Sequence, residues 1–255
     1  MDKDAEFRLR HFAQEAAQRR RAPAASPAAV AAVKRFQRER LAQANADLLQ
    51  SERYRLAARF FLDELYGVKD FTSRDEALAR MIPGMSRLLP TAALDALADA
   101  VELDAISEQL DEEMGALLER ESPAAAAELT VDRYFELYRA VGRRDLRTRQ
   151  IALLEDVGRQ LDRLVAKPFL YRILQAMEGP ARLAGLAQMQ TFLVAGFLAF
   201  RNMRGSEDFV RTVVVREREV MEHAFAGVDP VSRADVRRPG SETGTDMTGG
   251  PAPGK

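Results

Sequence analysis

The sequence contains no cysteine and only two histidines, His11 and His223. Without thiols, the chain can form no disulfide bond, no thiolate metal site and no cysteine nucleophile. His223 lies in a charged segment and His11 near the N-terminus, so neither is placed on an apolar helix face as a haem ligand would be. The Glu-x-x-His pairs of a di-iron helical bundle are also missing. We therefore expect no cofactor and no metal.

A surplus of charge of either sign is also lacking. The chain has 38 basic residues (Lys and Arg) and 39 acidic residues, which gives a formal net charge of −1. Such a balance provides no general attraction to nucleic acid or to an anionic membrane, so we expect no nucleic-acid partner. The N-terminal stretch MDKDAEFRLRHF lacks the apolar core of a secretory signal. Together with the absence of cysteine, this favours a cytoplasmic location.

A clear membrane-spanning run is not present either. The uncharged run between Arg182 and Arg201 has 18 residues, which is at the short end for crossing a bilayer. It also contains the polar residues Gln188 and Gln190. These features favour a central helix over about 181–203 that is buried on all sides, and we expect no membrane span.

The common catalytic motifs are absent as well. There is no G-x-S-x-G nucleophile elbow, and neither the G-x-x-x-x-G-K-[ST] nor the G-x-G-x-x-G phosphate-binding loop occurs. Carboxylates and arginines are the groups that remain for chemistry. No catalytic residue can be named from them, and an enzyme is the least favoured class of function.

Residues typical of β-strands seldom cluster, whereas signals for helix starts and ends are frequent. Ser26 followed by Pro27 is a typical N-cap and first-turn pair. Thr130 is placed to cap another helix, and Gly142 is placed to end it. Because the loops between predicted helices are short, neighbouring helices should be antiparallel. We predict an all-α fold, a compact bundle of about eight helices.

The distribution of helix-breaking residues predicts the domain organisation. After its initial proline, the segment 27–66 has no glycine or proline, which predicts a long N-terminal helix of about 60 Å at 1.5 Å per residue. Residues 1–26 are predicted as a flexible N-terminal segment. Residues 229–255 are rich in Pro, Gly, Ser and Thr and are predicted as a disordered C-terminal tail. Residues 27–228 are predicted to form a single helical domain.

The stretch RFFLDELYG, residues 59–67, places two carboxylates, Asp63 and Glu64, in the last turn of the predicted helix. That end of a helix carries partial negative charge, so both are unfavourable there unless a cation compensates them. Arg59 stands four residues before Asp63 and can pair with it along the helix. This corner is either a structural helix–turn–helix junction or a carboxylate site beside an aromatic pocket. Its candidate residues are Arg59, Phe60, Phe61, Asp63, Glu64, Tyr66, Gly67 and Asp70.

A second candidate site is the basic cluster GRRDLRTR, residues 142–149, at the start of a predicted helix. Arginines at a helix N-terminus can bind an anion or a phosphate group. This makes Arg143, Arg144 and Arg147 a candidate anion patch. Asp145 within the cluster favours the alternative, a solvated charged face without a ligand.

The stretches RFFLDELYGVKDFTSRDE and RMIPGMSRLLP resemble a family of all-helical bacterial, largely proteobacterial, proteins of unassigned function. In that family an FFLxELYGxxDF-type corner precedes a capped acidic helix. The run GPARLAGLAQMQTFLVAGFLAF is similar to the C-terminal half of the same family. The resemblance implies a helical fold but brings no activity, so it assigns no catalytic residue.

We favour a non-enzymatic protein–protein interaction or scaffold module that self-associates through the long helix. Val30, Val33, Leu41 and Leu48 recur on that helix at near-heptad intervals, and an exposed apolar stripe usually meets a partner. A partner other than a second copy remains open.

The alternative is a small-ligand-binding or sensor-type helical domain with an apolar pocket near helix 181–203. One of Tyr66, Tyr134, Tyr138 and Tyr171 would lie at the edge of that pocket. An enzyme that uses carboxylates and arginines alone is the third hypothesis. A filled interior would favour the interaction module, whereas a buried cavity with convergent polar groups would favour the ligand-binding domain.

Overall fold

The computed structural model describes residues 3–65, 82, 89–121, 129–183 and 187–228. Over these residues the chain is helical, with one π-helical segment and no β-strand, so the all-α prediction is confirmed. The helices are α1 (Lys3–Arg21), α2 (Pro27–Ala44), α3 (Ala46–Gln50), α4 (Arg55–Phe60), α5 (Thr91–Glu121), α6 (Val131–Val141), α7 (Arg144–Val165), α8 (Pro168–Ala176), α9 (Glu178–Leu183), α10 (Ala187–Met203) and α11 (Glu207–Phe225). The π-helical segment, Phe61–Leu65, continues α4.

Several helix boundaries fall where the sequence places capping residues. Ser26 Oγ accepts a hydrogen bond from the Ala29 N–H at 3.3 Å at the start of α2. Thr130 caps α6 in the same way through the Arg133 N–H, also at 3.3 Å. Gly142 ends α6 with a φ of 69°, a left-handed conformation that glycine adopts without steric cost.

The long helix predicted over 27–66 is interrupted twice. α2 ends at Asn45, which has φ −120° and ψ 29°, and residues 51–54 separate α3 from α4. The Asn45 side chain is buried, and its Nδ2 donates to the Leu41 carbonyl at 3.0 Å. An asparagine amide bound to the preceding turn competes with backbone hydrogen bonds and can end a helix without glycine or proline. The chain therefore does not form the continuous helix that the sequence predicted.

These breaks bring the apolar stripe of the predicted helix into the chain's own core. Val33, Leu41 and Leu48 are all buried. Val33 packs in an apolar cluster with Tyr134, and Leu48 packs in another with Phe200. The stripe is thus not the exposed face on which self-association was predicted.

α5 lies at the centre of the bundle, where it packs against α1, α2, α6 and α7. The sequence predicted this position for helix 181–203, but that stretch forms α9 and α10, and Leu198 on α10 is 41% exposed. α5 is rich in acidic residues, and Asp99 and Glu102 are among those that are buried. A helix with so many carboxylates can occupy the centre because basic side chains from other helices pair with them.

The N-terminal segment, predicted as flexible up to residue 26, forms α1 over most of its length and packs along α5. The buried side chains of α1 are Ala5, Leu9, Ala13 and Ala16. In the structure the helical fold therefore begins before residue 27. The predicted tail, residues 229–255, lies outside the described part of the chain.

We expect Leu9→Ala to lower the free energy of unfolding by at least about 2 kcal/mol, because truncating a buried leucine removes apolar contacts and leaves a cavity. Leu9 is fully buried in a cluster that includes residues of α5. Phe7→Ala on the same helix should change it by less than about 0.5 kcal/mol, since Phe7 is 68% exposed. Urea denaturation of both variants measures the difference. Two equally small effects would show that α1 is loosely held, as the sequence suggested.

Candidate ligand-binding cavity

A cavity of about 170 Å³ lies between α5, α7, α8, α10 and the end of α4. On one side α5 contributes three alanines, Ala93, Ala96 and Ala100, whose small side chains leave the space open. On the other side α8 and α10 contribute leucine, isoleucine and phenylalanine side chains. Every described residue that lines the cavity is apolar. The space is therefore suited to an apolar molecule and not to an ion.

The aromatic half of the predicted corner lies in the wall of this cavity, since Phe60 and Phe61 both line it. The Phe60 ring is 5.3 Å from the Phe192 ring of α10. It can approach α10 because residue 196 is a glycine: a Cβ atom at Gly196 would lie 2.8 Å from Phe60 Cζ. Phe61 begins the π-helical segment, and such segments are rare and frequently found at functional sites.

The acidic half of the corner is compensated from α2. Asp63 forms an ion pair with Arg38 at 2.5 Å, and not with Arg59 as the i, i+4 spacing suggested. The π-helical winding accounts for the change, because residues four apart no longer lie one above the other when hydrogen bonds run from i to i+5. Both partners are partly exposed, so the pair stabilises the fold by at most about 1 kcal/mol. The side chain of Glu64, and the whole of Tyr66, Gly67 and Asp70, lie outside the described part of the chain.

One buried polar side chain, Gln190 of α10, adjoins the cavity wall; it is 4% exposed. Its Nε2 donates a hydrogen bond to the backbone carbonyl of Leu174, a residue that lines the cavity. Its Oε1 is buried and has no hydrogen-bond partner among the residues that the structure describes. Gln190 is not among the residues that line the cavity, so this acceptor lies behind the apolar wall.

Tyr171 of α8 adjoins the same space, as the sequence allowed. Its ring stacks on Phe197, a lining residue, with 5.5 Å between the ring centroids. Tyr134 and Tyr138, which were equally candidates, belong to a separate apolar cluster. Tyr66 falls outside the described residues. Of the candidate tyrosines that the structure describes, Tyr171 is the one that packs against a residue of the cavity lining.

α1 packs against part of the cavity wall, although no residue of α1 lines the space itself. The apolar cluster built around Leu9 of α1 packs against several side chains that also line the cavity: Leu89, Leu97, Met177, Phe192 and Leu193.

The three arginines of the candidate anion patch each have different surroundings. Arg143 binds Glu113 through two hydrogen bonds of 2.9 and 3.1 Å. Arg144 pairs with Glu222. Arg147 is buried in the interior. Carboxylates thus already hold two of the guanidinium groups, and the third does not face solvent.

The carboxylates of α5 bind basic and polar side chains from helices that are far apart in the sequence. Asp99 and Glu102 both accept hydrogen bonds from Arg8 of α1. Glu102 also accepts from Arg149 of α7 at 2.7 and 2.9 Å, and Asp99 accepts from Gln160 at 2.6 Å. Over the described ranges, no group of three or more His, Cys, Asp or Glu side chains is placed to hold a metal ion. This acidic face is therefore a structural network.

Asp111 is buried on the same helix without such donors. It is 5% exposed, and its Oδ1 has no hydrogen-bond partner in the described part of the chain. Burial raises the pKa of Asp111 to about 7, although the charges of Lys34 and Arg147 lower it. Arg147 is buried as well, with its guanidinium 4.3 Å from the centroid of the Tyr138 ring. The interior thus holds an acid that titrates near neutral pH.

The chain belongs to the family described as Domain of unknown function (DUF8198), whose family model matches residues 16–230. No curated protein and no solved structure matches the chain. The resemblance to an uncharacterised family agrees with this result, while its corner motif and bacterial range stay predictions. Within the described residues, no helix combines the length and the apolar character that crossing a bilayer requires.

Proposed function

We propose that this member of the DUF8198 family binds a small, largely apolar molecule in the cavity between α5 and α10. The observation that carries the proposal is an open space of about 170 Å³ lined by apolar side chains. An engineered apolar cavity of about 150 Å³ binds benzene. The ligand is therefore about the size of one substituted aromatic ring or a short branched chain.

The free-energy cost of such a space supports the proposal. The lining consists of apolar side chains that are left uncovered by neighbouring helices, and apolar surface that is not covered forgoes hydrophobic stabilisation. Leucine or phenylalanine in place of the alanines of α5 would remove the cost, and a role for the space explains why it stays open.

The interaction or scaffold function favoured by the sequence has less support. It rested on self-association through an exposed apolar stripe, and Val33, Leu41 and Leu48 of that stripe are buried within the chain. The anion patch is not part of the proposal either, because Arg143 and Arg144 already hold carboxylates. A cytoplasmic location and the absence of nucleic-acid partners stay sequence-based predictions.

Filling the cavity tests the proposal. Ala96 is buried and lines the cavity, so Ala96→Leu should occupy the space that a ligand needs. We expect the full-length protein to bind p-xylene in isothermal titration calorimetry, and Ala96→Leu to weaken that binding at least about tenfold by excluding the ligand. Ala92→Leu is the matched control, since Ala92 lies on the same helix but is exposed.

Thermal denaturation of the two variants completes the test. Ala96→Leu should keep a melting temperature no lower than that of Ala92→Leu, because the added side chain fills an existing space. The proposal fails if the wild-type protein binds neither p-xylene nor other neutral probes of this size. It also fails if the two leucine variants bind p-xylene equally well.

A further inference from the structure

We infer that the outer face of α8 and α10 docks onto an anionic lipid membrane surface. This face, called the α8–α10 face below, combines exposed apolar side chains with the cations at the ends of α7, α8 and α10. The inference concerns this surface and not the cavity, so it goes beyond the proposed function and can fail while ligand binding stands. The residues of the face are Arg163, Lys167, Phe169, Arg172, Leu198, Arg201 and Arg204.

Charge is distributed unevenly along the chain, although its total is nearly balanced. Residues 163–206 contain six of the 38 basic residues but only one of the 39 acidic residues, Glu178. This segment is therefore basic, and the remainder of the chain is acidic. A local excess of one sign attracts the opposite charge over about a Debye length, roughly 8 Å at physiological ionic strength, whatever the total charge is.

The fold brings the ends of three helices together at this face. The guanidinium of Arg201 lies 5.3 Å from the centroid of the Tyr171 ring, which joins the C-terminal end of α10 to α8. The Ser206 N–H donates to Asp162 Oδ1 at 2.8 Å, which joins the turn after α10 to the last turn of α7. Because Arg163 immediately follows Asp162, the cations of α7 and of α10 lie at one junction.

The cations of the face are not held by carboxylates. Five of them are exposed, and none of the five forms an ion pair with a residue that the structure describes: Arg163, Lys167, Arg172, Arg201 and Arg204. The acidic residues closest in sequence have other partners, since Asp208 pairs with Arg211 and Glu178 pairs with Arg182. The face therefore presents positive charge to the solvent.

Two large apolar side chains are exposed among these cations. Phe169, in the first turn of α8, is 46% exposed, and Leu198 of α10 is 41% exposed. Each lies three residues before an arginine of the face, Arg172 and Arg201, so that each is a neighbour of a guanidinium on its helix surface. The sequence of α10 before Arg201, residues 187–200, contains no charged residue. Apolar surface and positive charge thus lie side by side.

An anionic membrane can satisfy both kinds of side chain at once. Lysine and arginine near the bilayer are attracted to anionic headgroups, while phenylalanine and leucine enter the boundary between headgroups and acyl chains. A nucleic acid would offer phosphates to the arginines but no aliphatic surface to Leu198. The combination of side chains therefore favours a lipid surface as the partner.

Co-sedimentation with lipid vesicles tests the inference on the full-length protein. The probes are vesicles of phosphatidylcholine alone, and vesicles of phosphatidylcholine and phosphatidylglycerol in equal parts. We expect the wild-type protein to bind the anionic vesicles and not the neutral ones, and to be released when the salt concentration is raised. Arg172→Glu replaces an attractive charge with a repulsive one and should weaken the binding at least about tenfold.

Arg120→Glu is the matched control, because it changes the net charge of the protein by the same amount. Arg120 is exposed and lies on α5 twenty residues after Ala100 of the cavity wall, which is about 30 Å along the helix. This variant should bind the anionic vesicles like the wild type. Phe169→Ala should weaken the binding at least about threefold by removing an apolar anchor, whereas Phe7→Ala on α1 should not.

The inference is overturned if the wild-type protein does not bind the anionic vesicles, or if Arg172→Glu and Arg120→Glu bind them equally. It is also overturned if Phe169→Ala binds as tightly as Phe7→Ala, since the attraction would then be electrostatic alone. Binding to an oligonucleotide or a glutamate-rich peptide without binding to vesicles would assign the face to another partner and refute the membrane. None of these results depends on p-xylene binding, so the two proposals are tested separately.

Discussion

Glu217→Ala is expected to lower the free energy of unfolding by about 3–5 kcal/mol, because it would leave the buried guanidinium of Arg40 without a counter-charge. Arg40 of α2 donates to both carboxylate oxygens of Glu217 of α11, at 2.9 and 2.6 Å. Burial alone would lower the pKa of Arg40, but Glu217 outweighs that effect and raises it. An arginine guanidinium stays charged at neutral pH even without its partner, so removing Glu217 leaves a buried unpaired charge that destabilises the fold.

Two comparisons separate this effect from a general weakening of α11. Glu219→Ala removes an exposed carboxylate from the same helix and should change stability by less than about 0.5 kcal/mol. Replacing the whole pair, as Arg40→Met with Glu217→Leu, should recover most of the loss because no buried charge is then left unpaired. Guanidinium chloride denaturation measures all three. A Glu217→Ala protein as stable as Glu219→Ala would mean that the pair does not hold α2 to α11.

Asp111→Asn is expected to stabilise the protein at pH 8 by at most about 4 kcal/mol, since each unit of pKa shift corresponds to about 1.4 kcal/mol. Burial raises the pKa of Asp111 from an ordinary value of 3.8 to about 7. Between those two pH values the folded protein holds a proton that the unfolded chain has lost. Stability therefore falls as the pH rises through this window, and the loss is complete above pH 7. Asparagine resembles the protonated acid and removes that dependence.

The pH profile supplies the decisive measurement. The stability difference between Asp111→Asn and the wild type should be near zero at pH 4 and should grow up to pH 8. Glu113→Gln on the same helix is a control of opposite sign: burial raises the pKa of Glu113, but hydrogen bonds from Arg143 and Gln109 outweigh burial and lower it. That carboxylate stabilises the fold when ionised, so its removal should matter less as the pH falls. If the difference in stability between Asp111→Asn and the wild type stayed constant from pH 4 to pH 8, the raised pKa of Asp111 would be contradicted.

Much of the helical framework can be predicted from local sequence, because helix ends depend on a few neighbouring residues. Ser26 with Pro27 and Thr130 act as the caps that the sequence indicates. The end of α2 cannot be predicted from capping residues in this way. Asn45 ends that helix through its own side chain, and asparagine is also common within helices, so it gives no clear signal.

Of the candidate site, too, only a part can be predicted from the sequence. Phe60 and Phe61 stand out in the sequence as an aromatic pair, and they line the cavity. The cavity exists because no side chain from another helix fills the space beside Ala93, Ala96 and Ala100. Local sequence cannot predict whether a helix that is distant in the sequence fills the space beside an alanine. The interior position of Arg147 is equally non-local, since its sequence context resembles that of exposed helix starts.

The ion pairs of α5 also set the order in which parts of the protein can fold during its synthesis. Arg8 and its partner Asp99 are separated by 91 residues, an interval that a ribosome takes on the order of 5–20 s to translate at roughly 5–20 residues per second. For that time α1 has emerged with Leu9 and Arg8 while the helix that covers them does not yet exist. Arg149 of α7 emerges later still and adds the final cation to Glu102. The nascent chain must therefore keep an amphipathic first helix out of unwanted contacts until the middle of the protein has been made.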